Sequence, residues 1–368
     1  MWITRGQRMK KYYSLKKIMS ENADYNIIIG ERSNGKTYAV LEKILTDYVN
    51  EKKEGAYIRR WKDDILGKRG DNVFSALCEN GTVKKLTNGE YETIIYTKAS
   101  WHLAKYDNET KRMKADRNPF CYAFALSDME HDKSISFPNV YNIAFDEFLT
   151  RRYYLPDEFI IFMNVLSTII RDRENIKIFM LGNTVNKYCP YFEELGIKNI
   201  ETMQQGSIDV YTFSNELKIA VEYCNETKGT KKSNKYFAFD NPRLNMITKG
   251  KWELAIYPHL PQGYKIKPNS IIFSFVIVFQ NKKIGCDVVN QNEDIFIYAR
   301  PKTTDIKDND LVYTLDYTPY RLCRKSFLTP VDKIDKKIKA FFGANRVFYQ
   351  SNEIGEIIHN YLLSCARQ

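Results

Sequence analysis

Gly30-Glu31-Arg32-Ser33-Asn34-Gly35-Lys36-Thr37 decides how the rest of the chain is read, because it fits the phosphate-binding pattern G-x-x-x-x-G-K-[ST] in the right context. Tyr25 to Ile29 before it reads as a short buried strand. After it, Val40, Leu41, Ile44, Leu45 and Tyr48 recur at the spacing of one helix face. A strand that turns through glycines into a helix aims several backbone N–H groups and the positive helix end at one spot, which suits the phosphates of a nucleotide. Gly30, Arg32, Ser33, Asn34 and Gly35 are candidate nucleotide-binding residues, Lys36 adds a mobile cation, and Thr37 offers its hydroxyl to Mg2+.

From about residue 20 to 205, strand-like apolar runs alternate with helical patterns, the signature of a parallel α/β sheet. Strands are expected at Tyr25 to Ile29, Ala56 to Arg59, Glu92 to Tyr96, Tyr122 to Leu126, Val140 to Phe145 and Lys177 to Leu181, with a helix over Asp157 to Arg173. Val140 to Glu147 is an apolar strand that ends in two adjacent carboxylates. In a P-loop ATPase an Asp at this place holds the Mg2+ shell and a following Glu polarises the attacking water, which assigns Asp146 to metal and Glu147 to catalysis. Asn183, at the polar end of the strand from Lys177, is placed to feel the γ-phosphate, or else is a turn-former beside Gly182. Arg171, at the carboxyl end of the predicted helix, either complements the helix dipole or projects into a neighbouring subunit's nucleotide as an arginine finger.

The 368-residue chain is long enough for two cores, and 43% hydrophobic with 14% aromatic residues excludes a disordered chain. Lys plus Arg exceed Asp plus Glu by 56 to 45, a net +11 that favours a polyanionic partner, although the excess is spread along the chain. Seven scattered cysteines without a C-x-x-C pair suggest neither a disulfide framework nor a zinc site, and fit a reducing cytosol. No apolar run approaches a membrane span, so no membrane partner is expected. Asn186-Lys187-Tyr188-Cys189 lacks the Asp of a guanine reader, which argues against a GTPase, and a small-molecule kinase would not explain the basic segment that follows.

That segment, Asn225 to Lys251, carries Lys228, Lys231, Lys232, Lys235, Arg243, Lys249 and Lys251 among Gly, Ser, Asn and Thr. The expected division is an ATPase domain over 1–205, a basic linker or small subdomain over 206–250 and a smaller α+β domain over 251–368. In the last, Ser270 to Phe279, Asn281 to Gly285 and Cys286 to Ile297 read as paired strands, and Glu353 to Ala366 as a terminal helix.

The arrangement resembles the φ29-type DNA-packaging motor ATPases of small tailed phages. The resemblance rests on Gly30 through Ala39, Tyr57-Ile58-Arg59-Arg60-Trp61-Lys62, Phe137-Pro138-Asn139-Val140, Phe145-Asp146-Glu147-Phe148, Arg171-Asp172-Arg173-Glu174 and Leu181-Gly182-Asn183 with Pro190-Tyr191-Phe192. It implies an α/β P-loop NTPase of the additional-strand, catalytic-glutamate type followed by an RNase H-like domain. It also implies a ring, typically pentameric, transiently at the portal vertex of a procapsid in the host cytoplasm, in which ATP hydrolysis drives double-stranded DNA inward. A portal or connector and a structural packaging RNA are the implied further partners. Arg171 falls at the family's trans-acting arginine, and Lys133 at a second basic position presented to a neighbour's nucleotide, or else is a solvated loop lysine. The basic stretch Lys105 to Arg117 is outside the family pattern, and is a phosphate-touching pore loop or a solvated hairpin tip. Family relatives with a cutting RNase H-type domain hold metal with clustered carboxylates, but Ile271 to Phe279 has none. The last domain is thus expected to be a vestigial nuclease used for binding, with Asp287, Glu293 and Asp294 as surface charges. The competing expectations are a regulatory NTPase that docks on nucleic acid, and a helicase with a single-strand track.

Overall fold

The computed structural model describes residues 12–131, 136–150, 154–155, 157–184, 189–200, 202–225, 257–279, 282–315 and 320–366. They form two compact units, Met1–Glu253 and Leu254–Gln368. The first is built on β1 (Tyr25–Gly30), β2 (Glu54–Arg59), β3 (Thr93–Thr97), β4 (Ser100–Asp107), β5 (Arg112–Ala115), β6 (Cys121–Ala125), β7 (Val140–Asp146), β8 (Lys177–Asn183), β9 (Ile208–Thr212) and β10 (Lys218–Tyr223). They form one sheet in the order β3-β4-β6-β2-β7-β8-β1-β10-β9, with β5 paired to β4. The strands from β6 to β10 are parallel, and β3, β4, β5 and β9 add antiparallel margins. Parallel strands covered on both faces read as unbroken apolar runs, and this is why β1, β7 and β8 stand out in the sequence.

One face of the sheet packs against the Lys36–Glu51 helix through Val40, Leu41, Ile44 and Leu45. The other packs against the Glu158–Ile170 helix through Phe162, Val165, Leu166 and Ile169. The approach to the first helix is close at Gly55 of β2, where an added Cβ would lie 2.4 Å from Cγ2 of Ile44. Gly55→Ala is therefore expected to overpack the core and cost about 1–3 kcal/mol, read by chemical denaturation.

β8 lies between β1 and β7, so the strand that feeds the glycine turn and the strand that ends in two carboxylates are separated by one inserted strand. The expected domain limit at 205 is corrected. β10 pairs in parallel with β1, and β9 folds back on β10, so residues 206–225 are part of the first unit's sheet rather than a linker. The basic remainder, from 226 to 250, lies outside the described residues. Lys105 to Arg117 is the β4–β5 hairpin, with Lys111, Arg112 and Lys114 exposed around its tip.

The second unit holds β11 (Ile271–Phe279), β12 (Lys282–Gln291), β13 (Asp294–Pro301), β14 (Leu311–Thr314), β15 (Cys323–Arg324) and β16 (Val347–Tyr349) in the order β15-β14-β11-β12-β13-β16. β11, β12 and β13 are antiparallel, while β14 runs parallel to β11 and β15 parallel to β14. The expected break between Gly285 and Cys286 is not there: β12 runs through it, and the turn falls at Asn292 and Glu293, both with positive φ. Helices follow at Lys333–Gly343 and Asn352–Cys365, the second starting one residue before the expected Glu353. Among the described residues no helix is long and apolar enough to cross a membrane.

Asp287 is not the surface charge expected of it. It is 5% exposed, accepts the Ser274 hydroxyl at 2.7 Å and pairs with Arg300 Nε at 2.8 Å. Cross-strand register explains this: Asp287 stands opposite Tyr298, so Arg300 is its diagonal neighbour on β13. Glu293 and Asp294 are exposed.

Candidate active site

Three parallel strands end together at one edge of the first sheet, and the side chains at those ends meet in a cavity of about 320 Å3. Arg32, Ser33, Asn34, Gly35, Lys36 and Thr37 line it from the turn after β1, and Asp146, Glu147, Gly182 and Asn183 from β7 and β8. The glycine turn is wound through left-handed positions, Ser33 at φ 62° and Gly35 at φ 95°. A side chain at Gly35 would be strained there and would also press on Tyr12, whose Cβ is 3.3 Å from the added carbon. Gly30 does not line the cavity. Its role is clearance, since a Cβ there would meet Cys224 Cβ at 2.8 Å.

Lys36 is held rather than mobile. It is 6% exposed, and its ammonium donates to the Glu31 carbonyl at 2.7 Å, Asn34 Oδ1 at 3.2 Å and Asn183 Oδ1 at 3.4 Å. Asn183 thereby joins the cradle from the far side of the cavity. Thr37 Oγ1 lies 3.3 and 3.2 Å from the two carboxylate oxygens of Asp146. Asp146 itself is buried, and burial pushes its carboxyl above the usual range against the opposing pull of Arg59 and the Tyr57 hydroxyl. Glu147 follows at φ 57° with its side chain 55% exposed, and its carboxylate is 2.7 Å from Arg59 Nη2.

The end of β2 carries site residues that no sequence motif assigns a role. β2 lies beside β7 with Ile58 opposite Phe145, which brings Tyr57 and Arg59 alongside Asp146. Tyr57 donates its hydroxyl to Asp146 Oδ2 at 2.8 Å, and burial first, then Asp146, keep that phenol protonated by raising it well above its ordinary range. Arg59 spans Glu147, Asp64 at 3.2 Å and Asp146 at 3.8 Å. The signal present in the sequence was the i, i+2 spacing of Tyr57 and Arg59, which puts both on one side of a strand. A further support comes from before β1: Tyr13 donates its N–H to the Asn34 carbonyl at 3.0 Å and its hydroxyl to buried Glu222 of β10 at 2.7 Å.

Arg171 is not in this cavity. It follows the last residue of the Glu158–Ile170 helix, which descends from the carboxyl end of β7 to the amino end of β8. Arg173 fixes this end of the chain by donating to the carbonyls of Pro138 at 2.9 Å and Val140 at 2.6 Å, at the start of β7. Arg171 thus stands at the opposite edge of the sheet, about 20 Å from Asp146 by the rise of a seven-residue strand. Lys133 lies outside the described residues.

The family model described as podovirus DNA encapsidation protein (Gp16) matches residues 8–236. The DNA packaging protein of Bacillus phage phi29 is 26% identical over 184 residues, which is 49% of this chain and 49% of that protein. The DNA packaging protein of Bacillus phage B103 is 27% identical over 183 residues, 49% of this chain and 50% of the relative. The match therefore spans about half the length of these curated relatives. In fold, the chain is similar to the bacteriophage Phi-29 viral genome packaging motor assembly, with a TM-score of 0.58 at 18% identity over 97% of this chain and 98% of the other.

Proposed function

Since the chain belongs to the podovirus DNA encapsidation protein family, we propose that it is an ATPase whose turnover drives double-stranded DNA into a viral procapsid. The observation that carries this reading is the meeting of Lys36 and Thr37 with Asp146 and Glu147 at one sheet edge, across the inserted strand β8. That order is what an additional-strand, catalytic-glutamate P-loop ATPase requires. A binder of nucleic acid alone has no use for it.

The donor set fits Mg2+: the Thr37 hydroxyl and the Asp146 carboxylate are adjacent hard oxygens on the wall of an open cavity, leaving room for waters and phosphate. When bound, Mg2+ would neutralise charge on the β- and γ-phosphates of ATP. The backbone N–H groups of the turn and Lys36 bind the same phosphates, Asn183 keeps Lys36 aimed at them, and Glu147 takes the proton of the attacking water. Arg59 holds the Glu147 carboxylate in the state described here, so this base must exchange its partner before it acts.

Arg171 lies at the sheet edge away from its own cavity, which suits supply of charge to a neighbour's phosphates in a ring, pentameric in our reading, seated at the portal vertex in the host cytoplasm. A portal or connector and a packaging RNA are the partners proposed for that seat, and Lys133 a second cation toward the neighbour. We read the second unit as RNase H-like, because three antiparallel strands flanked on the first by two parallel ones, β13-β12-β11-β14-β15, is that fold's order. It serves as a binding module, since β11 brings no carboxylate and Asp287 is already committed to Arg300 and Ser274.

Turnover stimulated by double-stranded DNA tests the reading, and its absence in an assembled ring would favour a regulatory NTPase. DNA binding is expected to ignore sequence and to weaken by about 10³- to 10⁵-fold between roughly 50 and 200 mM salt if six to ten phosphates are contacted. Neutralising Lys228, Lys231, Lys232 and Lys235 together should flatten that salt dependence, measured by fluorescence anisotropy at several salt concentrations.

A further inference from the structure

We propose that Arg60 is the positioning residue for Glu147, acting through the backbone carbonyls that follow β7. This rests on the proposed role of Glu147 as the base. Glu147 has a left-handed backbone, φ 57°, a conformation uncommon for a residue with a Cβ. The Glu147 N–H donates to Asp146 Oδ1 at 3.0 Å, and Arg60 braces the residue from the carbonyl side. Its guanidinium donates through Nη1 to the Glu147 carbonyl at 3.2 Å and through Nη2 to the Phe148 carbonyl at 2.6 Å, holding both peptide groups of the turn from one planar fork.

The fork is itself fixed from behind. Nε and Nη2 of Arg60 pair with the two carboxylate oxygens of Glu158 at 2.7 and 2.9 Å, and the guanidinium lies 4.9 Å from the Tyr154 ring centre. Glu158 is 3% exposed, Arg60 5%, and Glu158 also accepts from the Leu155 N–H at 2.7 Å and the Tyr191 hydroxyl at 2.9 Å. A buried pair with this many bonds leaves little rotational freedom to the group that holds the turn. Arg59 and Arg60, adjacent in sequence, therefore divide the work: one meets the carboxylate of Glu147, the other its backbone.

A merely structural pair, tying the Glu158–Ile170 helix to the sheet, would give the same contacts, so the test must separate placement from folding. The full chain in its assembled form is compared as wild type, Glu147→Gln, Arg60→Lys, the charge-free pair Arg60→Met with Glu158→Leu, and Arg60→Lys combined with Glu147→Gln. ATP turnover, affinity for a fluorescent ATP analogue with Mg2+, and Tm are measured on each. Lysine cannot span two carbonyls and a carboxylate, so Arg60→Lys should lower kcat by about 10²-fold with nucleotide affinity unchanged. The charge-free pair should show the same kcat loss while keeping its fold, because it leaves no buried charge unpaired. Added to Glu147→Gln, Arg60→Lys should cost nothing further, since it acts only through that residue.

Wild-type kcat in Arg60→Lys or in the folded charge-free pair would overturn the proposal. So would a parallel loss of nucleotide affinity, or an undiminished further loss in the Glu147→Gln background. Wild-type turnover by Glu147→Gln alone would instead overturn the underlying assignment of the base.

Discussion

Glu147→Gln is expected to bind Mg2+-ATP normally and to turn it over about 10²- to 10⁴-fold more slowly, the usual contribution of a positioned general base. Lys36→Ala, by contrast, should lose binding and hydrolysis together. In the proposed mechanism the difference follows from where each acts: Lys36, buried among oxygens beside the glycine turn, would support phosphate in ground and transition states alike, whereas Glu147, on the cavity wall, would act on the water. Equilibrium binding of a labelled nucleotide beside steady-state phosphate release separates the two. Wild-type turnover in either variant would refute the site.

Arg171→Ala should reduce turnover by about 10³- to 10⁵-fold, the range of an arginine that stabilises charge on the transferring phosphoryl group. Because Arg171 stands at the sheet edge away from its own Lys36, the deficiency should be repairable by a neighbour. Mixing Arg171→Ala subunits with Glu147→Gln subunits should restore hydrolysis, each supplying what the other lacks. Failure to recover in rings shown to be mixed would count against action in trans.

The nucleotide cradle was legible in the sequence because its geometry is local: two glycines, a lysine and a threonine within eight residues need only the strand before and the helix after. Asp146 and Glu147 were legible for a related reason, as the polar end of a strand buried on both faces. Tyr57, Arg59 and Arg60 were not, because their role depends on β2 lying beside β7, which is set by crossovers and not by spacing. The same holds for β10, five of whose residues pair with β1 across nearly two hundred positions, and whose absence from the sequence reading put the domain limit too early. Asp287 was misread because the partner that buries it is diagonal across a hairpin, and strand register fixes such pairs only once the turn is known.

The separation of the glycine turn and Arg171 on opposite edges of one sheet also governs what a partial assembly can do. In the ring proposed above, a subunit that gives its arginine to one neighbour receives from a different one, so each contact there is head-to-tail. An open row then always holds one fewer complete site than it has subunits, and only closure completes them all. Activity per subunit would accordingly climb with protein concentration and level off at ring closure, giving the circuit a single rotational sense in which each site waits on one particular neighbour.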